Sequence, residues 1–371
     1  MKIGVPKEIK PYEYRVGLTV GAVAELCRRG HEVFVETGAG AGASMPDDDY
    51  VAVGAQIVGN AAEVFAAATL IVKVKEPLAQ ECDLLNAGHT LFTFLHLAAD
   101  EKLTDRLLNS GATCIAYETI TDNAGRLPLL MPMSQIAGRL SVQAGAAHLE
   151  KHNGGRGVLL GGSTGVSPGK VTVIGGGVVG SNACQIALGM GARVVVLDKS
   201  LAKLEELSRQ FGSQLETVYA SAVNIERHAI EADLLIGAVL VPGRSADRII
   251  PASLVKKMKP GAVIVDVAID QGGSCENSRP TTHHEPTFVV DGVIHYCVSN
   301  MPGAVPATAS DALSHATMPF VLELADKGIK QALLSNANLR NGLSTFAGKI
   351  TCAAVAQNFS RDLVKAESLL N

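Results

Sequence analysis

No stretch of this chain stays apolar for the roughly 18–20 residues that a helix needs to cross a bilayer, so no membrane partner is expected. No basic run occurs anywhere and the formal net charge is −4, which leaves nothing resembling a surface for nucleic acid. The seven cysteines, Cys27, Cys82, Cys114, Cys184, Cys275, Cys297 and Cys352, are odd in number and contain no C-x-x-C pair. That pattern excludes a zinc-ribbon or disulfide framework and reads as reduced, mostly buried thiols of a cytoplasmic protein. The opening "MKIGVPKEIKPYEYR" lacks the apolar region of a secretory signal. No repeat of solenoid period and no low-complexity tract is found. What is present is a chain of 371 residues, 47% hydrophobic and 18% charged. Such a chain can bury substantial cores and is too long for one.

The first third alternates short apolar runs with amphipathic stretches. "IGVPK", "EVFVETG", "LIVKVKE", "TLFTFLHLA" and "TCIAYE" read as strands, and "LTVGAVAELCRRG" reads as a helix closing on Gly30. From about residue 171 the alternation restarts with "KVTVIG", "ARVVVLD", "TVYA", "DLLIGAVL", "GAVIVDVAID" and "VIHYCVSN". Nearly uninterrupted apolar strands are expected of parallel sheets covered on both faces. The pattern predicts an α/β chain of two doubly wound parallel-sheet domains separated by a cleft and joined by long helices. One connection is "MPMSQIAGRLSVQAGAAHLEKHNGG", with Ser134 as a candidate N-cap and Gly154–Gly155 as its end. Beyond "NMPGAVP" the chain is expected to be helical to its end and to recross, completing the first domain. The expected boundaries are 1–130 with 307–371 for the substrate domain, and 131–306 for the other.

Within the second domain, "KVTVIGGGVVGSNA" places Gly175, Gly177 and Gly180 as G-x-G-x-x-G between a strand and a helical pattern. In that context the first glycine allows the turn, the second lets backbone approach a pyrophosphate, and the third lets the helix pack on the strand. Val178 and Val179 open the helix. Asp198 closes the next strand 21 residues past Gly177, where an acid grips the adenosine ribose. A carboxylate there disfavours a 2′-phosphate, so NAD is expected rather than NADP, with Lys199 and Lys203 close by. "GGSTGVSPGK" resembles a P-loop, but it precedes a strand and carries Val171 after its lysine.

In open α/β sheets the ligand crevice lies beyond the carboxyl ends of the strands. Arg15, Lys75 and His96 stand at such ends in the first domain, and Asp270 and Asn300 in the second. Two cations and an imidazole facing a carboxylate and an amide could hold a small anion against a nicotinamide. Each has a plainer reading: a solvated lysine, a structural histidine, an Asx turn at Asp270, a surface ion pair at Arg15. No metal is expected, because His148 with His152 and His283 with His284 lack a third ligand.

Several motifs in order, "GVPKEIK", "KVKEP", "FTFLHLA", "MSQIAGR", "GGRGVLLGG", "DLLIGAVLVPG", "GAVIVDVAIDQGG" and "NMPGAVP", closely resemble the NAD-dependent alanine dehydrogenases. They resemble less closely the first domain of proton-translocating nicotinamide nucleotide transhydrogenase. The resemblance implies two Rossmann-like domains and a homohexamer that oxidatively deaminates L-alanine to pyruvate and ammonium through an iminium. It implies Arg15 and Lys75 on the substrate carboxylate and His96 and Asp270 as acid/base groups. Ser134, Gly175, Gly177, Val178, Val179, Gly180, Asp198, Lys203, Asn300 and Met301 would hold NAD. The chain departs from the family pattern at Gln135, Val20 and Ala220. Two other functions fit the pattern: a transhydrogenase NAD(H)-binding subunit, or an amino-acid oxidoreductase like saccharopine dehydrogenase.

Overall fold

The computed structural model describes residues 1–239 and 248–370. By contacts the chain divides into two compact units, Met1–Met133 with Val305–Asn371, and Ser134–Ala304. The first unit opens with six parallel strands: β1 (Lys2–Val5), β2 (Glu32–Glu36), β3 (Gln56–Val58), β4 (Leu70–Val72), β5 (Thr90–Thr93) and β6 (Thr113–Ala116). β1 pairs with β2 on one side and β4 on the other. The chain therefore winds outward through β2 and β3, then returns to continue through β4, β5 and β6. The crossing point between β1 and β4 is where such sheets open a crevice at their carboxyl edge.

The second unit repeats the plan with β7 (Lys170–Ile174), β8 (Arg193–Asp198), β9 (Leu215–Tyr219), β10 (Leu234–Gly237), β11 (Val263–Asp266), β12 (Thr287–Val290) and β13 (Val293–Tyr296). Their order is β12-β13-β11-β10-β7-β8-β9, and all are parallel except β12. β12 and β13 form a hairpin over Asp291–Gly292, both at positive φ, as a two-residue Asp-Gly turn requires. The crossing point here lies between β7 and β10. The last four residues of "DLLIGAVLVPG" lie outside the described residues.

The remaining chain departs from the all-helical tail expected of it. The helix Pro306–Lys327 begins with proline at its first turn, where a missing N–H costs nothing. After two short helices the tail adds β14 (Leu343–Phe346) and β15 (Lys349–Ile350). β14 joins β6 antiparallel and β15 pairs with β14, so the first sheet reads β15-β14-β6-β5-β4-β1-β2-β3. "LSTFAGKI" is a hairpin because its β-branched and aromatic residues flank Ala347–Gly348, both at positive φ.

Two further expectations are corrected. Ser134 is not a cap: the helix runs Met131–His148, with Ser134 in its first turn. Several strands are also shorter than their apolar runs. β4 stops at Val72, β5 at Thr93 and β11 at Asp266, although the pattern continues to Lys75, His96 and Asp270. The loops beyond these strands are themselves largely buried, and an apolar pattern reports burial rather than ladder pairing.

Candidate active site

β7 delivers the chain into Gly175, whose φ of +101° turns it before the helix Val178–Gly189 begins. A Cβ on Gly180 would stand 1.8 Å from the Gly175 carbonyl oxygen, so the helix seats on the turn only with glycine there. At Gly177, the N-cap, an added Cβ would meet nothing within 4 Å, and no side chain caps the first N–H groups. Those donors face open space at the positive end of the helix dipole, an arrangement suited to phosphate oxygens. Val178 is half-exposed at this end and Val179 is buried.

Asp198 closes β8 beside the same turn. Its Oδ2 accepts from the Gly176 N–H at 2.6 Å and its Oδ1 from the Ser200 N–H at 2.8 Å. The stem of Lys203 lies against Gly176, while its Nζ pairs with Glu206 at 2.5 Å. The helix Met131–His148 packs tightly onto the turn's helix, since a Cβ on Gly138 would sit 2.2 Å from the Val179 carbonyl oxygen. Ser134 stands one turn earlier on that face.

Beyond β13, Asn300 adopts a left-handed φ of 63°. Its carbonyl oxygen accepts from the Gly303 N–H at 2.9 Å and pairs with His283 Nε2 at 3.1 Å. His283 thus braces the Asn300–Met301 loop, with Met301 buried. Asp270 is exposed on the single 3-10 turn Val267–Gln271 that follows β11.

In the first unit, the loop after β1 lies flat on the end of β4: a Cβ on Gly17 would stand 2.5 Å from the Val72 carbonyl oxygen. Arg15 in that loop is 2% exposed. Its Nε and Nη2 meet Glu13 at 2.7 and 2.6 Å, and its Nη1 lies 3.1 Å from the Met133 sulfur. Arg15 therefore forms an ion pair, but a buried one and not the surface pair of its plainer reading. Tail residues hold the same loop, with Ser310 Oγ accepting from the Val16 N–H at 3.0 Å and Ser314 Oγ from the Thr19 N–H at 3.4 Å.

Lys75 follows β4, with its carbonyl accepting from Thr93 Oγ1 at 3.0 Å and its N–H directed to Glu8 Oε1 at 3.4 Å. The same Glu8 oxygen accepts from the Val74 N–H at 2.6 Å. Behind Lys75 lies a charge cluster that pattern reading overlooked. Lys73 is fully buried, its Nζ 3.2 Å from Glu8 Oε2 and 2.7 Å from Glu81 Oε1. Burial pushes the Glu8 carboxyl up against the pull of Lys73. Burial works to lower the Lys73 pKa, but the two carboxylates outweigh it and hold the ammonium above its usual value. His96, in the left-handed region at φ 50°, stacks on Phe94 at 5.9 Å between centroids and 4° between planes. Glu118 pins its backbone, accepting from the His96 N–H at 2.5 Å and the Leu95 N–H at 3.2 Å.

Arg15, Lys75 and His96 thus gather beyond the carboxyl ends of β1, β4 and β5, three neighbours in one sheet. The glycine turn, Asp198, Asp270 and Asn300 gather beyond the carboxyl ends of β7, β8, β11 and β13 in the other. Glu8, Glu13, Lys73, Glu81, Glu118 and Asp266 were not singled out in sequence. Lysine inside the apolar run "LIVKVK" was the one available signal, since a charge among buried residues demands a partner. Among the described residues the seven cysteines are free, no group of three potential metal ligands converges, and no helix is long and apolar enough to cross a membrane.

Strand, glycine turn, helix and strand-end acid define the class, a Rossmann-like α/β chain made of two doubly wound units. Family models agree: the alanine dehydrogenase/PNT N-terminal domain matches residues 4–137 and the C-terminal domain 141–353. A protein of Halomonas elongata named alanine dehydrogenase is 56% identical over the whole of both chains. A solved L-alanine dehydrogenase structure superimposes with a TM-score of 0.95 at 53% identity, covering 97% of this chain and 99% of that one. A transhydrogenase structure from Sinorhizobium meliloti is more distant, with a TM-score of 0.82 at 26% identity over 95% of this chain and 100% of that one. The chain belongs to the alanine dehydrogenase/PNT family.

Proposed function

We propose that this protein is an NAD-dependent L-alanine dehydrogenase that reversibly converts L-alanine to pyruvate and ammonium. The observation that carries the reading is the grouping of Arg15, Lys75 and His96 at three adjacent strand ends. Full-length relatives named alanine dehydrogenase support it. The alternative of a transhydrogenase subunit rests on a likeness of 26% identity and is the weaker reading. No particular observation favours a saccharopine-type substrate.

The glycine turn fits a dinucleotide, because the space a Cβ would enter at Gly177 is open and the helix N–H groups there carry no side-chain cap. Gly175, Gly177, Gly180, Val178 and Val179 would hold the pyrophosphate, and Asp198 the adenosine ribose. Asp198 favours NAD over its 2′-phosphorylated form, and Lys203 is engaged by Glu206. Ser134, Asn300 and Met301 would complete the cofactor contacts. NAD+ supplies the acceptor for the hydride from the substrate Cα.

The chain's own residues do the rest. Arg15 and Lys75 bind the substrate carboxylate. Glu13 grips the Nε–Nη2 edge of Arg15 and fixes the plane of the guanidinium, with Lys75 acting as a point charge. His96 takes and returns the protons of the reaction. Asp270 stabilises the cation that develops at the substrate nitrogen. The protein would act as a homohexamer, as the family resemblance implies, and in the cytoplasm, as its unpaired cysteines suggest.

The test follows NADH oxidation with pyruvate, with and without ammonium. Ammonium-dependent oxidation is expected, and oxidation indifferent to ammonium would overturn the iminium chemistry. His96→Ala and Asp270→Asn should each lower kcat by about 10²–10⁴-fold with NADH binding retained.

A further inference from the structure

We infer that Asp266 is the positioning residue for Asp270: a buried carboxylate around which the loop presenting Asp270 is wound. The inference rests on the proposed role of Asp270. Asp266 ends β11 and is fully buried. Its Oδ1 accepts from the Ala268 N–H at 3.2 Å and from Ser274 Oγ at 2.9 Å. Its Oδ2 accepts from the Ser274 N–H at 2.8 Å, the Cys275 N–H at 3.1 Å and Ser278 Oγ at 2.6 Å. Five donors on one side chain suit a group that only accepts. Among the described residues no cation pairs with it, and the neighbouring imidazole of His295 is fully buried, with burial holding its pKa down to about 4. Directed hydrogen bonds are what keep this carboxylate out of water.

The surrounding chain makes room for this arrangement. A Cβ on Gly237, at the end of neighbouring β10, would sit 2.0 Å from Ser274 Oγ. Gly272 and Gly273, at φ 97° and 82°, bring the loop back onto the carboxylate. The donors come from both sides of Asp270, Ala268 before it and Ser274, Cys275 and Ser278 after it. Asp270 is itself exposed, and no described residue holds its carboxylate. Where Asp270 stands is therefore decided by the backbone of the 3-10 turn, and that backbone is fixed by Asp266. Misplacing a reacting group by about 1 Å can cost about 10²-fold in rate.

Asp266→Asn in the full-length protein tests this. The amide presents its NH2 to N–H and O–H donors and can accept at one atom only. Expected is a folded protein whose kcat falls about 10–100-fold, with KM for pyruvate and NADH affinity by fluorescence little changed. A role confined to stability would lower the unfolding temperature and leave kcat alone. The double variant Asp266→Asn/Asp270→Asn should be no slower than Asp270→Asn. If Asp266→Asn fails to fold, Ser278→Ala, which removes the 2.6 Å donor, should show a smaller loss of kcat in the same pattern. Unchanged kcat in a folded Asp266→Asn, or additive losses in the double variant, would overturn the inference. Wild-type turnover in Asp270→Asn would instead overturn the role of Asp270, and the inference with it.

Discussion

Lys73→Met separates electrostatics from packing in the first unit. Lys73 is completely buried, and its partners Glu8 and Glu81 are only 2% and 3% exposed at their side chains. Methionine is an unbranched side chain of similar reach, so packing alone predicts a small loss. The electrostatic loss is large, because two buried carboxylates are left without their cation. Removing one partner of a buried pair costs about 3–5 kcal/mol. For a unit of about 200 residues, each kcal/mol moves the midpoint by roughly 2–4 °C, which puts the first unit's transition about 6–20 °C lower. The pH dependence gives a second test. Burial already raises the Glu8 carboxyl and Lys73 opposes the rise, so without Lys73 it rises further. A carboxyl raised on folding costs nothing below its unfolded value of 4.5. Its cost grows as pH rises toward the folded pKa. The deficit should therefore be largest near pH 8 and shrink toward about pH 5. Calorimetric unfolding at several pH values, with NADH binding as a check on the second unit, reads both effects. A deficit below about 2 °C, or one equal at both ends of that range, would refute the reasoning.

Two further outcomes are expected. Gly180→Ala should weaken NADH binding at least about 100-fold by fluorescence titration, because its methyl would meet the Gly175 carbonyl oxygen at 1.8 Å and push the helix N-terminus off the turn; near-native affinity would show that this close seating is dispensable. His295 is buried with both ring nitrogens lacking a hydrogen-bond partner, and burial lowers its pKa from 6.5 to about 4. A base depressed on folding contributes its stability above the unfolded value and loses it as pH falls toward the folded one. His295→Leu should accordingly flatten the acid limb of the second unit's melting temperature, and an unaltered limb would count against it.

How much of this was legible in sequence depends on how local the cause is. The glycine turn could be read because strand, turn and helix are consecutive, and each glycine answers a short-range steric demand. The strand-end positions of Arg15, Lys75 and His96 could be read because alternating apolar runs imply parallel strands, whose ends share one edge. The partners of those residues could not. Glu8 meets Lys73 across 64 intervening positions, and nothing in the spacing marks that encounter. Asp266 is hidden inside a run that reads as one strand to Asp270, because the turn that separates them is nearly as buried as the strand before it. The tail hairpin was missed for the opposite reason: β14 is short, and its partner β6 lies more than 200 residues earlier.

The return of the tail to the first unit has a consequence for biosynthesis. Residues 134–304 form a contiguous unit and can close their core as soon as they leave the ribosome. The first unit cannot. Until β14 is made, β6 presents an open sheet edge of the kind that invites mispairing. Until the helix Pro306–Lys327 is made, the loop bearing Arg15 lacks the serines that hold Val16 and Thr19. At about 5–20 residues per second the N-terminal segment waits roughly 10–50 s for its complement. The part synthesised first is thus completed last. Nascent chains that have just released residue 304 from the ribosome should carry a folded second unit beside an unfinished first one, the stage at which a chaperone has most to protect.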